Sequence, residues 1–172
     1  MKKIKVTILV LAACLLMGCG SKTKEGVAFL EEQNYEEALT SFQEAAEKDK
    51  NPGEAYRGMG IAYSEMEEYE KSAESFEKAM EHEVKETGTL YHFLGTCYLQ
   101  MENYEEALKY FQKGITMEDN SEEMLQEMRF NEIMLYEKLG DWENAKTKVK
   151  EYTAAYPDDE KAAKEAEFLE TR

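Results

Sequence analysis

Few residues in the sequence have the type and spacing that chemistry requires. The two histidines, His82 and His92, have no cysteine or further histidine at a metal-ligand spacing. The sequence contains no Gly-rich phosphate loop, no Gly-x-Ser-x-Gly turn and no His-Glu-x-x-His motif. The many glutamates form no recognisable acid–base pair, and solvated helix faces account for them. The sequence therefore predicts a protein that is not an enzyme and that uses no metal or cofactor.

Two further features could suggest a site. Residues 118–121 read Glu-Asp-Asn-Ser, which could indicate calcium, but they lack the alternating acidic residues and central glycine of an EF-hand loop. We expect these residues to cap a long leading helix instead. Cys97 lies between Thr96 and Tyr98 on a predicted helix, where a small buried thiol is expected rather than a nucleophile.

The N-terminal residues have the features of a signal segment. Residues 1–5 are basic, residues 6–17 are almost wholly apolar, and Gly-Cys-Gly follows at residues 18–20. A spanning helix needs roughly 20 apolar residues, so this shorter run predicts a signal for export. An ordinary secretory signal with an incidental cysteine and an uncleaved membrane anchor are the alternatives.

Residues 16–19, Leu-Met-Gly-Cys, resemble the bacterial lipobox. In that family the cysteine thiol is joined to diacylglycerol and the chain is cut just before the cysteine. The resemblance implies a cleaved lipoprotein signal peptide over residues 1–18 and a mature chain, 19–172, that is anchored through Cys19. It also implies a place on the extracytoplasmic side of a bacterial membrane, and both the cytoplasmic and the outer membrane fit. Two acyl chains would anchor stably, at about 0.8 kcal/mol per buried CH₂.

The remaining sequence repeats itself. Residues 103–112 and 34–43 are identical at eight of ten positions, and two more diverged copies follow the same pattern. The equivalent aromatic residues, spaced by 34, 35 and 38 positions, are Tyr35, Tyr69, Tyr104 and Trp142. A period of this length predicts stacked helical hairpins, because one hairpin cannot bury its apolar stripe alone.

The pattern inside each copy resembles the tetratricopeptide repeat. That family has a small residue at position 8, an aromatic at 11, alanine at 20, an aromatic at 24 and alanine at 27. The first copy matches all five positions, with Gly26, Phe29, Ala38, Phe42 and Ala45. The fourth copy departs most, with Ile133, Tyr136, Ala145, Val149 and Tyr152. The resemblance implies an all-α, TPR-like α-α superhelix, or solenoid, of about four helix-turn-helix units and a C-terminal capping helix. The implied units are 19–52, 53–87, 88–125 and 126–159, with the capping helix over 158–171.

The charge of the chain limits its partners. With 37 acidic and 21 basic residues, its formal net charge is −16. Such a surface repels phosphates, so no nucleic-acid partner is expected. The acidic helix faces are explained by solubility, although a basic protein partner is compatible with them.

In tetratricopeptide arrays the leading helix of each unit contributes to a concave surface that faces the ligand. The resemblance implies that the groove of this chain is formed by Arg57, Ile61, Ser64, His92, Thr96, Leu99, Phe130, Asn131 and Met134. This mixed apolar and polar stripe suits an extended or helical segment of another protein or peptide.

These features favour a lipid-anchored, extracytoplasmic protein–protein interaction module. One alternative is a component of outer-membrane protein or pilus assembly machinery, because families there also join a lipobox to such repeats. A solute-binding protein or an enzyme with an unrecognised site is a second alternative, which a deep cavity with converging carboxylates would favour. A third is an array that only associates with itself.

Overall fold

The computed structural model of the chain describes residues 21–49 and 52–172. Within these ranges the chain is helical, short turns join the helices, and no strand occurs. The helices are α1 (Ser21–Glu31), α2 (Tyr35–Lys48), α3 (Gly53–Glu65), α4 (Tyr69–Glu81), α5 (Gly88–Gln100), α6 (Tyr104–Ile115), α7 (Glu122–Lys138), α8 (Trp142–Ala155) and α9 (Glu160–Glu170). The predicted all-α class is confirmed. Cys19 and the signal segment lie outside the described residues, so the predicted cleavage stays a prediction.

The helices fall into two compact units that divide between Lys85 and Glu86. The first unit contains α1 to α4 and the second contains α5 to α9. Within each unit, consecutive helices pack against each other, so the chain forms hairpins with a leading and a trailing helix. The leading helices α1 and α3 also touch in the first unit, and α5 and α7 touch in the second. None of the described helices combines the length and the apolar character that crossing a membrane demands.

The turn inside each hairpin has the same backbone geometry. Its central residue has a positive φ, at Gln33 (62°), Glu67 (62°), Glu102 (58°) and Gly140 (73°). The N–H of this residue donates to the carbonyl three residues back, and the next N–H donates to the carbonyl five residues back. These two bonds define a Schellman motif, which ends the leading helix sharply. The trailing helix begins two residues later, at the repeated aromatic residue.

Residues 118–121 have the capping role that their sequence indicates. The Ser121 hydroxyl accepts a hydrogen bond from the N–H of Met124 at 3.2 Å, which starts the 17-residue helix α7. Asp119 Oδ1 accepts from the N–H of Gly88 at 2.9 Å and so ties the start of α5 to this loop. The expected capping is therefore confirmed for Ser121, and Asp119 has a hydrogen-bonding role instead.

A buried phenylalanine ring packs directly on glycine backbone in each of the first three hairpins. Phe42 is fully buried, and a Cβ added at Gly26 would lie only 2.7 Å from its ring. Gly58, on the next leading helix, approaches the same ring. Phe76 packs on Gly60 in the same way, with a corresponding distance of 2.9 Å. Because glycine carries no side chain, the two helices of a hairpin come close enough for the ring to fill the space between them.

The second unit repeats this contact once and then replaces it. Phe111 is fully buried, and a Cβ added at Gly95 would lie 2.8 Å from its ring. In the fourth hairpin the equivalent positions hold Ile133 and Val149, which are also buried and belong to one core cluster. Here two aliphatic side chains, one on each helix, fill the space that a glycine and a phenylalanine share in the other hairpins.

We expect Phe111→Ala to lower the free energy of unfolding by about 3–5 kcal/mol, because the ring is fully buried and its removal leaves a cavity between α5 and α6. Phe168→Ala is the matched control, since that ring is 41% exposed. The control should change the free energy of unfolding by less than about 1 kcal/mol. Urea unfolding followed by circular dichroism measures both values, and equal losses in the two variants would contradict the packing described above.

Candidate functional site

In each unit, the candidate site is the side of that unit's leading helices on which the predicted groove residues lie, and we call this side the inner face of the unit. In the first unit this face includes Arg57, Ile61 and Ser64, all on α3. Arg57 pairs with Glu54 of the same helix at 2.5 Å, and its side chain is only 11% exposed. Ile61 is buried and Ser64 is partly exposed. The charge of Arg57 is therefore already balanced by Glu54 within the same helix, and Ser64 keeps part of its surface exposed.

The inner face of α5 is polar but largely buried. The imidazole Nε2 of His92 lies 3.3 Å from Oε1 of Glu127 on α7, and this contact lowers the pKa of Glu127 although burial opposes it. His92 Nδ1 and the Thr96 hydroxyl are buried and have no hydrogen-bond partner among the described residues. Buried polar atoms without hydrogen-bond partners are rare, so these two atoms are unusual in having unused hydrogen-bonding capacity. Leu99 packs against the core around Phe111.

The inner face of α7 combines packing and accessible groups. Phe130 is buried, contacts the Tyr152 ring edge-on with centroids 5.6 Å apart, and lies under the Lys161 ammonium at 4.1 Å. Met134 packs against the same cluster but is only partly buried. The Asn131 amide is partly exposed and makes no hydrogen bond within the described part of the chain. Phe130 therefore packs beneath the inner face, whereas the side chains of Asn131 and Met134 are accessible at its surface.

The structure thus brings six of the nine predicted groove residues together on two touching helices, α5 and α7, of the second unit. The other three lie on α3 of the first unit. Whether any of the nine binds a partner stays a prediction.

The sequence interpretation missed the contribution of α9, which it assigned only to capping. Lys161 covers Phe130, and Glu165 interacts with Glu137 of α7, so α9 extends the inner face of the second unit. The sequence did contain a signal for this role of α9. If the repeat count continues beyond Pro157, α9 becomes another leading helix, with Lys161, Glu165 and Phe168 at positions that face the ligand in this kind of repeat.

Glu137 and Glu165 form a pair of carboxyl groups between α7 and α9. Burial, followed by repulsion from and hydrogen bonding with the adjacent Glu165, raises the pKa of Glu137 to about 7, while Lys138 acts in the opposite direction. One Glu137 oxygen is buried and receives no hydrogen bond from another donor among the described residues. Near neutral pH, Glu137 is therefore protonated in about half of the molecules.

The remaining candidates for chemistry have structural surroundings. His82 ends α4 and its ring stacks on Tyr56 with centroids 5.4 Å apart. Cys97 is fully buried in α5, which confirms the expected small buried thiol. Across the described ranges, no group of three or more histidine, cysteine or acidic side chains could hold a metal ion.

Comparison with known proteins agrees with this architecture. Two family models described as tetratricopeptide repeat match residues 23–79 and 54–118. The solved structure of YrrB, described as a TPR protein with an unusual peptide-binding site, is 27% identical, with a TM-score of 0.73 over 84% of this chain and 72% of that chain.

Structures of MamA show the same fold at lower identity. One MamA structure is 14% identical, with a TM-score of 0.71 over 84% of this chain and 81% of that chain. A double mutant of MamA RS-1 is 20% identical, with a TM-score of 0.73 over 89% and 85%. No curated protein sequence matches the chain.

We expect Glu137→Gln to change how stability depends on pH. Because the folded-state pKa of Glu137, about 7, lies above the ordinary 4.5, folding favours the protonated form. Its stabilisation is complete below pH 4.5 and is lost as the pH rises through 7. The variant should therefore gain about 1–2 kcal/mol over the wild type between pH 5 and pH 8, after allowance for solvent screening. Chemical unfolding at several pH values measures the difference.

Glu143→Gln, at an exposed position on α8, removes the same charge away from any such pair and is the control. Its free energy of unfolding should run parallel to that of the wild type. If the Glu137→Gln curve is also parallel, the pKa of Glu137 is not raised in the folded protein.

Proposed function

Because residues 23–118 belong to the tetratricopeptide-repeat family, we propose that the protein is a lipid-anchored interaction module on the extracytoplasmic side of a bacterial membrane. Its inner face binds an extended or helical segment of another protein. Tetratricopeptide-repeat proteins are interaction scaffolds and are generally not enzymes. Machinery that assembles outer-membrane proteins or pili is one setting in which such a module would work.

The observation that carries the binding proposal is the composition of the inner face in the second unit. The Asn131 amide is partly exposed and has no hydrogen-bond partner among the described residues, and Met134 offers accessible apolar surface on the same helix. A polypeptide segment supplies N–H and C=O groups at every residue and side chains between them. It can therefore satisfy the polar groups and cover the apolar surface at the same time. YrrB, with its described peptide-binding site, supports this proposal by similarity.

The proposal of an anchor is supported by the sequence of residues 16–19 and by the basic and apolar segments before it. A repeat domain without a membrane-spanning helix in its described part would then depend on the acyl chains of Cys19 for its location. The acidic net charge of the chain agrees with anchoring through acyl chains and not through the folded domain, because anionic lipid would repel that domain.

We expect a photo-crosslinking amino acid at position 134 to capture a partner in living cells, because Met134 lies on the inner face and is accessible. The same amino acid at position 147 is the control, since Thr147 is exposed on the trailing helix α8. Immunoblotting after irradiation should show a discrete larger product for position 134 alone. The additional change Asn131→Ala should weaken that product, and equal products from both positions would argue against the inner face as the binding surface.

We expect Cys19→Ser to release the protein from membranes, because serine has no thiol to join to diacylglycerol. Cys14→Ser is the matched control, since position 14 lies within the apolar run and would leave with the signal peptide. Membrane fractionation and a phase-partition assay with detergent distinguish the two variants. If the Cys19→Ser protein is still processed but pellets with membranes, the lipid anchor is excluded while the peptide-binding proposal is unaffected.

A further inference from the structure

A second possible binding site lies in the second unit, between α6, α7 and α8. It is a cavity of about 280 Å³ lined by Ile115, Arg129, Glu132, Lys148, Glu151 and Tyr152. We call it the far-side cavity. At 3.6 residues per helical turn, Arg129 and Glu132 lie roughly half a turn around α7 from Phe130, Asn131 and Met134. The cavity is therefore separate from the inner face, and it is not part of the peptide-binding proposal.

One wall of the far-side cavity is a fixed ionic network. Glu132 is 5% exposed, and its Oε1 accepts a hydrogen bond from the Gln112 amide at 3.0 Å. Gln112 also donates to the Tyr136 hydroxyl at 2.8 Å, which holds the amide in place. The Lys148 ammonium lies 3.5 Å from Oε2 of Glu132 and 3.4 Å from Glu151. Burial lowers the pKa of Lys148, but the two carboxylates outweigh burial and raise it, so the lysine is charged.

Two charged groups of the far-side cavity keep unused binding capacity. Within the described residues, the Arg129 guanidinium donates one hydrogen bond, to the Tyr156 hydroxyl at 3.4 Å, and forms no ion pair. A guanidinium has five N–H donors, and a carboxylate is the group that it binds best. The Glu151 side chain is 63% exposed and has Lys148 as its ion-pair partner, so it can accept a further cation.

The balance of charge decides which kind of ligand fits. Arg129 and Lys148 carry two positive charges, and Glu132 and Glu151 carry two negative charges, so the cavity is neutral overall. A simple anion would pair with Arg129 but would leave the further capacity of Glu151 unused, and a simple cation would leave Arg129 without a carboxylate. A zwitterion offers a carboxylate to Arg129 and an ammonium to Glu151 without changing the total charge. Ile115 is partly exposed and offers apolar surface to a side chain, whereas Tyr152 is almost fully buried at the wall of the cavity.

We propose that the far-side cavity binds a small zwitterion, an α-amino acid with an apolar side chain. Its carboxylate pairs with Arg129, its ammonium pairs with Glu151, and its side chain lies against Ile115. Pockets for drug-sized molecules occupy about 300–1,000 Å³. This cavity, at about 280 Å³, is slightly smaller, which agrees with a ligand as small as a single amino acid.

The test uses the full chain in detergent, titrated with L-leucine by calorimetry and followed by thermal unfolding. We expect binding and a higher melting temperature with L-leucine. N-acetyl-L-leucine lacks the ammonium and L-leucinamide lacks the carboxylate, so each should bind at least about tenfold more weakly, because each loses one ion pair. No heat and no thermal shift with L-leucine up to about 10 mM overturns the proposal. Equal binding of N-acetyl-L-leucine or L-leucinamide overturns the assignment of a zwitterion.

Variants locate the binding. Arg129→Gln and Glu151→Gln should each weaken L-leucine binding by about tenfold or more, whereas Glu143→Gln, the same change at an exposed position of α8, should not change it. Arg129→Lys keeps the charge but loses the fork of donors, so its affinity should lie between those of the wild type and Arg129→Gln. Circular dichroism shows whether each variant is folded. Unchanged affinity in folded Arg129→Gln overturns the proposal.

Discussion

The hairpins depend on the contact between a buried phenylalanine ring and the backbone of a facing glycine. A Cβ at Gly26, Gly60 or Gly95 would lie within 3 Å of the ring opposite, so a side chain at these positions would push the helices apart. The contact therefore sets both the distance between the two helices and the rotation of the leading helix about its axis. In α5 the rotation that directs Gly95 towards Phe111 also determines the surroundings of His92 and Thr96. The inner face is thus a consequence of how the ring is packed.

The same constraint allows more than one sequence solution. Ser72 replaces alanine at a fully buried position, and its hydroxyl donates to the Gly60 carbonyl at 2.8 Å, so no polar group is left unpaired. In the fourth hairpin, Ile133 and Val149 place one aliphatic side chain on each helix where the other hairpins pair glycine with phenylalanine. Glu102 has a positive φ where glycine is favoured, at a cost on the order of 1 kcal/mol. The Schellman hydrogen bonds and the packing of the hairpin outweigh that cost.

Periodicity within the sequence predicts what lies within one hairpin, and that part of the prediction was confirmed. The repeated aromatic residues begin the trailing helices, and Phe111 is buried as its spacing indicates. Periodicity did not predict the contacts between hairpins, because these contacts join residues that belong to different repeats. Glu137 meets Glu165 and Lys161 covers Phe130 only because α9 packs beside α7 as a further helix of the array. Likewise, Asp119 bonds to Gly88 across 31 residues, a pairing that no local pattern encodes.

Helix α7 shows where stability and function require different residues. Position 132 is equivalent to Leu94 of the preceding repeat, which is fully buried and apolar. A leucine at position 132 would serve the fold at least as well, because replacing a buried ion pair by apolar groups is often neutral or stabilising. Yet the chain has Glu132 there and adds Gln112 and Lys148 to satisfy it. The fold does not require this buried charge, which orients Lys148 at the wall of a cavity that also contains Arg129. The zwitterion that we propose for the far-side cavity would give this buried charge a role that packing alone does not supply.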